Sequence, residues 1–204
     1  ETDSTEFLKE FVDDQVILVD PSQLTRYAEL HQVGLPFLLK VLSIAKPLSI
    51  QAHPDKKRSA ILHDLLPDIY KDPNHKPELA VALTPFEAMC GFRPCIDIVT
   101  DIARVPEFAD AAVRTVADDF VRVVKSRSFV PKRALRSLFS SLMSRSQEDI
   151  KHSIENLVAR LGSMAKSDLT ARDQLLLHLN SEFPGDIGCF GAYLFNHVHL
   201  APGQ

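Results

Sequence analysis

Cysteine is scarce in this 204-residue chain, which has three, Cys90, Cys95 and Cys189. Their number is odd and no pair shows C-x-x-C spacing, so the pattern argues against a disulfide framework and against a thiolate zinc site. Unpaired cysteines are typical of proteins from a reducing compartment. We therefore expect a cytoplasmic location.

Long apolar runs and an excess of positive charge are also absent. No apolar stretch approaches the roughly 20 residues that cross a bilayer, and the first residues lack the basic start and apolar core of a signal peptide. The formal net charge is −4 and the pI is near 6.1, which gives no general attraction to nucleic acid or to an anionic membrane. With 45% hydrophobic residues and no low-complexity linker, the composition is that of a globular protein.

The most informative stretch lies between residues 35 and 94, where two apolar runs come close together. Pro36–Ile44 has the length of a strand, and Pro47–His53 follows after a short break, so we predict a hairpin of two buried strands. Side chains alternate between the two faces of a strand. The second strand thus has a core face that includes Ile50, and a polar face made by Ser49, Gln51 and His53.

Three residues of this region form a candidate set of metal ligands, Gln51, His53 and Glu78. Glu78 opens a further strand-like run, Glu78–Leu83, so its carboxylate can reach the same polar face. Polar groups beside buried strands need a partner, and a metal ion is one such partner. Amide, imidazole and carboxylate suit zinc or another divalent ion of the first transition row. The alternative is that Gln51 and His53 are ordinary hydrogen-bonded residues, and spacing alone does not decide between the two.

Helical patterns surround and follow this region. A helix is predicted to start at Pro54–Asp55 with Ala60, Ile61 and Leu65 facing inward, and a strand is predicted over Phe86–Phe92. Beyond Pro94, apolar residues recur at helical spacing over 113–124, 135–143 and 150–161. A further helix over 171–179 starts at Thr170, with Asp173 in a capping-box position. The fold class we predict is α+β.

Four motifs occur in order along the chain: LPFLLKVL from Leu35, LSIQAHP from Leu48, NHKPE from Asn74 and GFRP from Gly91. Together they resemble the type I mannose-6-phosphate isomerases, also called phosphomannose isomerases. The resemblance implies a partial cupin (jelly-roll β) domain over residues 1–93, an inserted all-helical domain over 94–195, and the start of a return strand over 196–204. It also implies a zinc-dependent isomerase that interconverts mannose 6-phosphate and fructose 6-phosphate through an enediolate and serves GDP-mannose biosynthesis.

The same resemblance assigns roles to individual residues. Three zinc-ligand positions of the family, for one zinc ion per chain, are filled by Gln51, His53 and Glu78. Positions that line the family's active site are filled by Lys40, Ser49, His75 and Lys76. The catalytic residues implied are Lys40, His75 and Lys76, and Ser49 is expected to orient the substrate together with Lys40. Without the resemblance, Lys40 would be interpreted as an edge residue that reaches water.

His197 and His199 form a second candidate metal pair, because two imidazoles two residues apart on a strand share one face. The resemblance places the family's remaining zinc histidine further along, after the Pro-Gly turn, and these two positions are not ligands there. Metal binding by His197 and His199 therefore remains an alternative interpretation of the sequence.

The resemblance further implies that the opening cupin strands, the last zinc histidine and a downstream Arg/Lys segment lie outside these 204 residues. A second hypothesis therefore stays open: a non-catalytic truncated paralogue, or a sugar-phosphate-binding or interaction module of the same fold. Under either hypothesis we expect a monomer whose partner is a sugar phosphate, with no nucleic-acid or membrane partner.

Overall fold

The computed structural model describes residues 38–126 and 131–204, and the chain divides into two compact units, Glu1–Ala45 and Lys46–Gln204. In the first unit the described residues, 38–45, form neither helix nor strand. The beginning of the predicted first strand, Pro36 and Phe37, lies outside the described residues.

The first helix of the second unit, α1 (Lys56–Leu65), begins where the sequence predicts it. Asp55 is its N-cap, and its carboxylate accepts a hydrogen bond from the Arg58 backbone N–H at 2.8 Å. The predicted inward face is wrong for Ile61 and Leu65, which are 38% and 68% exposed, whereas Ala60 is half-buried. Ser59 is the buried residue instead, and its hydroxyl donates to the Pro54 carbonyl. Packing against the preceding loop, and not the apolar stripe, sets the orientation of this helix.

The strands predicted over 36–44, 47–53 and 78–83 do not form in the described part of the chain. Residues 38–53 have no strand pairing, and Ile50, expected in a core, is 49% exposed. In 78–83, Ala82 alone pairs like a strand, with backbone hydrogen bonds to Gln204 and Gly203. A strand exists only where a neighbour satisfies its N–H and C=O groups, and the described residues offer these segments no such neighbour.

The two strands that do form within the described residues, β1 (Phe86–Phe92) and β2 (Phe195–Leu200), make an antiparallel pair. The prediction of a strand over Phe86–Phe92 is confirmed. The register shifts between Cys90 and Phe92, where Gly91 has φ of +65°. Such a bulge with glycine in the left-handed region adds one residue to one strand. The Asn196 side chain secures it by donating to the Cys90, Gly91 and Phe92 carbonyls at 3.1–3.4 Å.

Helices occupy most of the chain between the two strands. They are α2 (Cys95–Arg104), α3 (Pro106–Ala111), α4 (Arg114–Lys125), α5 (Pro131–Met143), α6 (Gln147–Gly162), α7 (Ala171–Glu182) and α8 (Gly191–Leu194), with 3-10 turns at Lys166–Asp168 and Ile187–Phe190. The three apolar stripes and the helix after Thr170 are confirmed as α4 to α7. At Thr170 a full capping box forms, since the Thr170 hydroxyl and the Asp173 carboxylate each bind the other's backbone N–H.

The apolar stripes of these helices meet in one core. At its centre lie three fully buried aromatic residues, Phe108, Phe190 and Tyr193. The ring centroid of Phe108 is 5.7 Å from that of Phe190 and 5.6 Å from that of Tyr193. Aromatic contacts at this spacing add to the stabilisation that burial provides. Among the described helices, none combines the length and apolar character required to cross a membrane.

Buried ionic groups join the β1 end of this core to α2 and α7. Arg93 pairs with Asp101, and its Nη1 also donates to the Tyr193 carbonyl at 3.0 Å. Arg104 Nη1 donates to Asp173 Oδ2 at 2.8 Å, and the Tyr193 hydroxyl donates to Asp173 Oδ1 at 2.8 Å. Burial acts to raise the pKa of Asp173, but hydrogen bonds from Arg104, Thr170 and Tyr193 hold it below its ordinary value.

Candidate metal centre and active site

The segment 51–54, the first turn of α1 and the loop 69–78 enclose a cavity of about 310 Å³. Four residues singled out by the sequence lie near it, and three are the predicted metal ligands. The predicted site residues in its lining are Gln51, His53, Lys76 and Glu78. The loop that follows α1 thus brings Lys76 back to His53, which lies 23 positions earlier in the sequence.

The orientation of His53 is fixed by one backbone contact. His53 Nδ1 lies 2.7 Å from the Lys76 carbonyl oxygen, and because that oxygen can only accept, Nδ1 carries the proton and donates. In the neutral ring, Nε2 is then left with a lone pair. It lies 3.8 Å from Glu78 Oε2, so an imidazole nitrogen and a carboxylate oxygen, both electron-pair donors, converge on the same space.

This geometry fits a metal ion. Metal-binding histidines typically donate their second ring N–H to a carbonyl or carboxylate, which fixes the tautomer and the ring. Two ligand atoms bound tetrahedrally to zinc at about 2.0–2.1 Å lie roughly 3.4 Å apart, close to the 3.8 Å between His53 and Glu78. Gln51, in the same cavity lining, supplies an amide oxygen as a third candidate donor.

Lys76 is held beside this cavity by Asp72. Lys76 Nζ donates to Asp72 Oδ2 at 2.7 Å, and Asp72 Oδ1 accepts from the Asn74 backbone N–H at 3.0 Å. The hydrogen bond from Lys76, with that from Asn74, lowers the pKa of Asp72. In this ion pair the Lys76 ammonium acts as a hydrogen-bond donor and not as a base. The arrangement suits contact with a negatively charged substrate oxygen.

The other predicted site residues are not among those that line this cavity. Ser49 and His75 are exposed and are not among its lining residues. Lys40 belongs to the first unit, so its role stays a prediction. The assignments of Ser49 and His75 stay predictions as well.

Sequence reasoning missed two residues, Asp72 in the cavity lining and His63 beside it. Asp72 lies four residues before Lys76, but this spacing signals an ion pair on a helix, and the segment is a loop. His63 lies in α1, and its Nδ1 contacts the Tyr70 carbonyl at 2.6 Å. This contact ties α1 to the start of the loop that carries Lys76, and no local pattern signals it.

His197 and His199 lie elsewhere, on β2, where a carboxylate from β1 joins them. His197 Nε2 is 2.9 Å from Glu87 Oε2, and His199 Nδ1 is 3.6 Å from Glu87 Oε1. One potential ligand atom from each of the three residues lies within 4.8 Å of the other two. The described residues therefore contain two separate groups of side chains of the types that can bind a metal ion.

Two family models match the chain. One, described as the catalytic domain of type I phosphomannose isomerase, matches residues 2–95, and the other, the helical insertion domain of the same enzymes, matches residues 113–195.

Curated relatives and solved structures agree with the family models. A mannose-6-phosphate isomerase of Macaca fascicularis is 43% identical over 174 residues, covering 84% of this chain and 41% of the relative. Mannose-6-phosphate isomerase 1 of Arabidopsis thaliana is 40% identical over 190 residues, covering 92% and 44%. The chain thus spans about two-fifths of the length of these relatives.

Among solved structures, the Salmonella typhimurium mannose 6-phosphate isomerase bound to fructose 6-phosphate and zinc superposes with a TM-score of 0.63 at 35% identity. The match covers 79% of this chain and 40% of that one. A mannose 6-phosphate isomerase structure with zinc and yttrium gives a TM-score of 0.64, also at 35% identity, with the same coverage.

Proposed function

The chain belongs to the type I phosphomannose isomerase family, and we propose that it carries part of a zinc-dependent active site that interconverts mannose 6-phosphate and fructose 6-phosphate. The names of the relatives and the zinc and fructose 6-phosphate bound to the Salmonella enzyme support this proposal. Since the chain spans about two-fifths of those relatives, the activity is proposed for the protein of which these residues are a part. The cupin architecture of residues 1–93 and 196–204 belongs to the same proposal.

The observation that carries the proposal is the orientation of His53. Its Nδ1–H donates to the Lys76 carbonyl, and its Nε2 is directed towards Glu78. Gln51, His53 and Glu78 would hold the zinc ion, and bound zinc supplies a Lewis acid close to the substrate oxygens. The same backbone contact couples the metal ligand to Lys76, so the ligand and the catalytic candidate are positioned by one hydrogen bond.

The chain's own residues have separate tasks in the isomerisation. The reaction removes the proton on C2 of mannose 6-phosphate, returns a proton to C1, and moves a proton between the two oxygens, so negative charge develops on the enediolate oxygens. The Lys76 ammonium, held by Asp72, is a donor for one of those oxygens. His75 is the candidate for proton transfer, because an imidazole can accept and release a proton near neutral pH.

Substrate orientation is assigned to three polar and basic residues, Ser49, Lys40 and Lys71, of which Lys71 is in the cavity lining. Ser49 and Lys40 keep the role implied by the family, contact with the sugar phosphate. Lys71 lies in the cavity lining and adds a local positive charge to a chain of net charge −4. An ammonium is a suitable point-charge partner for a phosphate.

The proposal is tested by isomerase activity on mannose 6-phosphate, measured after chelation and again after zinc is returned. Zinc binding is measured on the same samples by calorimetry, for the wild type, His53→Ala and the control His178→Ala, an exposed histidine of α7. We expect activity to depend on zinc, and His53→Ala to lose one bound equivalent of zinc together with activity, while the control keeps both. Zinc-independent activity, or an unchanged number of bound zinc equivalents in His53→Ala, contradicts the proposed site.

The alternative function is a sugar-phosphate-binding or interaction module without catalysis. A folded protein that binds zinc and fructose 6-phosphate but does not isomerise would support that alternative. For either function we propose a cytoplasmic location, which three free cysteines support, and a monomeric state. For the isomerase we also propose a place in the supply of mannose 6-phosphate to GDP-mannose biosynthesis.

A further inference from the structure

We propose that Glu87, His197 and His199 form a second binding site for a zinc-type divalent ion, separate from the Gln51, His53 and Glu78 cavity. The three residues lie on one face of the β1–β2 pair. Glu87 is directly opposite His199 in the register, and His197 lies two residues before His199 on the same strand. Directly opposite and i+2 neighbours share a face of an antiparallel pair, so the backbone directs all three side chains to the same side.

The distances between the ligand atoms are close to those that zinc requires. Tetrahedral zinc with bonds of about 2.0–2.1 Å places its ligand atoms roughly 3.4 Å apart. The two nitrogen-to-oxygen distances are 2.9 and 3.6 Å, and all three ligand atoms lie within 4.8 Å of one another. Rotation of exposed side chains is sufficient to bring them to the required spacing, without movement of the backbone.

The donor types select the class of ion. Two imidazoles and one carboxylate form an open three-ligand set of the kind found in zinc enzymes, with a position left for water. Imidazole nitrogen favours zinc, copper, nickel and cobalt over magnesium and calcium. The side chain of His197 is 20% exposed, while those of Glu87 and His199 are 62% and 66% exposed. One ligand is therefore anchored at the sheet and two are accessible from solvent.

The place of the cluster in the chain gives the site a physical consequence. β1 enters the helical block and β2 leaves it, so an ion bound by Glu87 and the two histidines links the entry and exit strands. An ion that binds only the folded protein stabilises it in proportion to the logarithm of the free ion concentration. We therefore assign this site a stabilising role, expressed as a metal-dependent rise in Tm.

The test separates this site from the proposed isomerase site. Metal-free protein is titrated with Zn²⁺ by calorimetry and with Co²⁺ by visible absorption, which reports imidazole ligation. The variants are His197→Ala/His199→Ala, Glu87→Gln and His53→Ala, and His178→Ala is the matched control. We expect the wild type to bind one equivalent more than the His197→Ala/His199→Ala variant, and His53→Ala to retain the second equivalent and its Tm shift.

Glu87→Gln should weaken this second equivalent at least about tenfold, since even an outer-shell change costs about 10–100-fold in affinity. Circular dichroism establishes that each variant is folded. Equal stoichiometry and equal zinc-dependent Tm shifts in wild type and His197→Ala/His199→Ala would overturn the proposal and leave Glu87 as a simple ion-pair partner. Loss of the first equivalent alone, in His53→Ala, bears on the proposed isomerase site and not on this one.

Discussion

Replacement of Asp173 by alanine should be among the most damaging single changes in the helical block. The carboxylate is fully buried and accepts hydrogen bonds from four donors: the Tyr193 hydroxyl, Arg104 Nη1, the Thr170 hydroxyl and the Thr170 backbone N–H, at 2.7–2.9 Å. Its removal leaves the buried Tyr193 hydroxyl without an acceptor, at about 1–3 kcal/mol. Loss of half of the capping box adds about 1 kcal/mol.

Arg104 contributes less, because its side chain is 30% exposed and water can solvate part of the freed charge. The first two terms add to about 2–4 kcal/mol. The freed Arg104 charge moves the total towards the roughly 3–5 kcal/mol measured when one partner of a buried ion pair is removed. The unfolding free energy of a typical protein is about 5–15 kcal/mol, so Asp173→Ala should remove a large part of the stability of the folded state. Urea denaturation followed by far-UV circular dichroism measures the difference, provided the slope with urea is unchanged.

Two further variants separate the contributions. Tyr193→Phe removes one hydroxyl donor and should cost about 1–3 kcal/mol, as for a hydrogen bond to a charged group. Asp118→Ala, at an exposed position of α4, should lie within about 0.5 kcal/mol of wild type. If Asp173→Ala lost no more stability than Asp118→Ala, the reasoning from buried hydrogen bonds would be refuted.

The Asp173 carboxylate should also make the free energy of unfolding depend on pH, in a direction that its pKa determines. Its pKa is lowered from the ordinary value of 3.8 in the folded protein, so the unfolded chain binds the proton more readily. Its contribution is therefore complete above 3.8 and is lost as the pH falls through the lower folded pKa. The difference in unfolding free energy between wild type and Asp173→Ala should be constant near neutral pH and shrink in acid. A difference that grows in acid contradicts this assignment.

Three other outcomes are expected. Lys76→Met should lower kcat/KM for mannose 6-phosphate by about 10²–10³-fold with zinc affinity unchanged, because it removes one donor to the enediolate oxygens. Lys57→Met, on the exposed side of α1, should leave kcat/KM unchanged, and loss of zinc binding in Lys76→Met would show instead that Lys76 supports the metal ligands. Gly185→Ala should lower the urea stability by about 1–2 kcal/mol because φ is +74° there. Gly162→Ala, with open space around the added Cβ, should be neutral or stabilising, and equal effects would contradict this. Cys189 is 1% exposed, and burial raises its pKa to about 11, so it should react with a thiol reagent only after unfolding. Exposed Cys90 should react in the native protein. Rapid labelling of Cys189 in the native protein would contradict its burial.

The helical part of the fold could be predicted from the sequence because its information is local. The spacing of Ile150, Ile154 and Leu157 defines a face within a single helix, and Thr170 with Asp173 defines a helix start within four residues. The pattern could not predict that Asp173 also accepts hydrogen bonds from Arg104 and Tyr193. Its partners Arg104 and Tyr193 are 69 and 20 residues away, and no spacing rule connects them.

The apolar runs before residue 84 failed as strand predictions for a physical reason. Hydrophobic composition and alternation describe which residues a sheet would bury, but a strand is made by the backbone of its neighbour. Leu79 is 89% exposed and Leu83 is 70% exposed, although both belong to a run with strand-like composition. The polar residues of the same region were more informative, since Gln51, His53 and Glu78 line one cavity without any ladder between their segments.

The cluster on β1 and β2 shows how a single irregularity can decide which side chains meet. Beyond Gly91 the pairing is Phe92 with Phe195, and that register continued without a bulge would place Glu87 opposite Leu200, on the face away from both histidines. The extra residue at Gly91 shifts the pairing by one and brings Glu87 opposite His199. The His-x-His pattern is visible in the sequence, but its carboxylate partner depends on a left-handed glycine and on the amide of Asn196. The geometry of the second metal site therefore follows from the bulge, since the bulge alone puts a third ligand on the face of the two imidazoles.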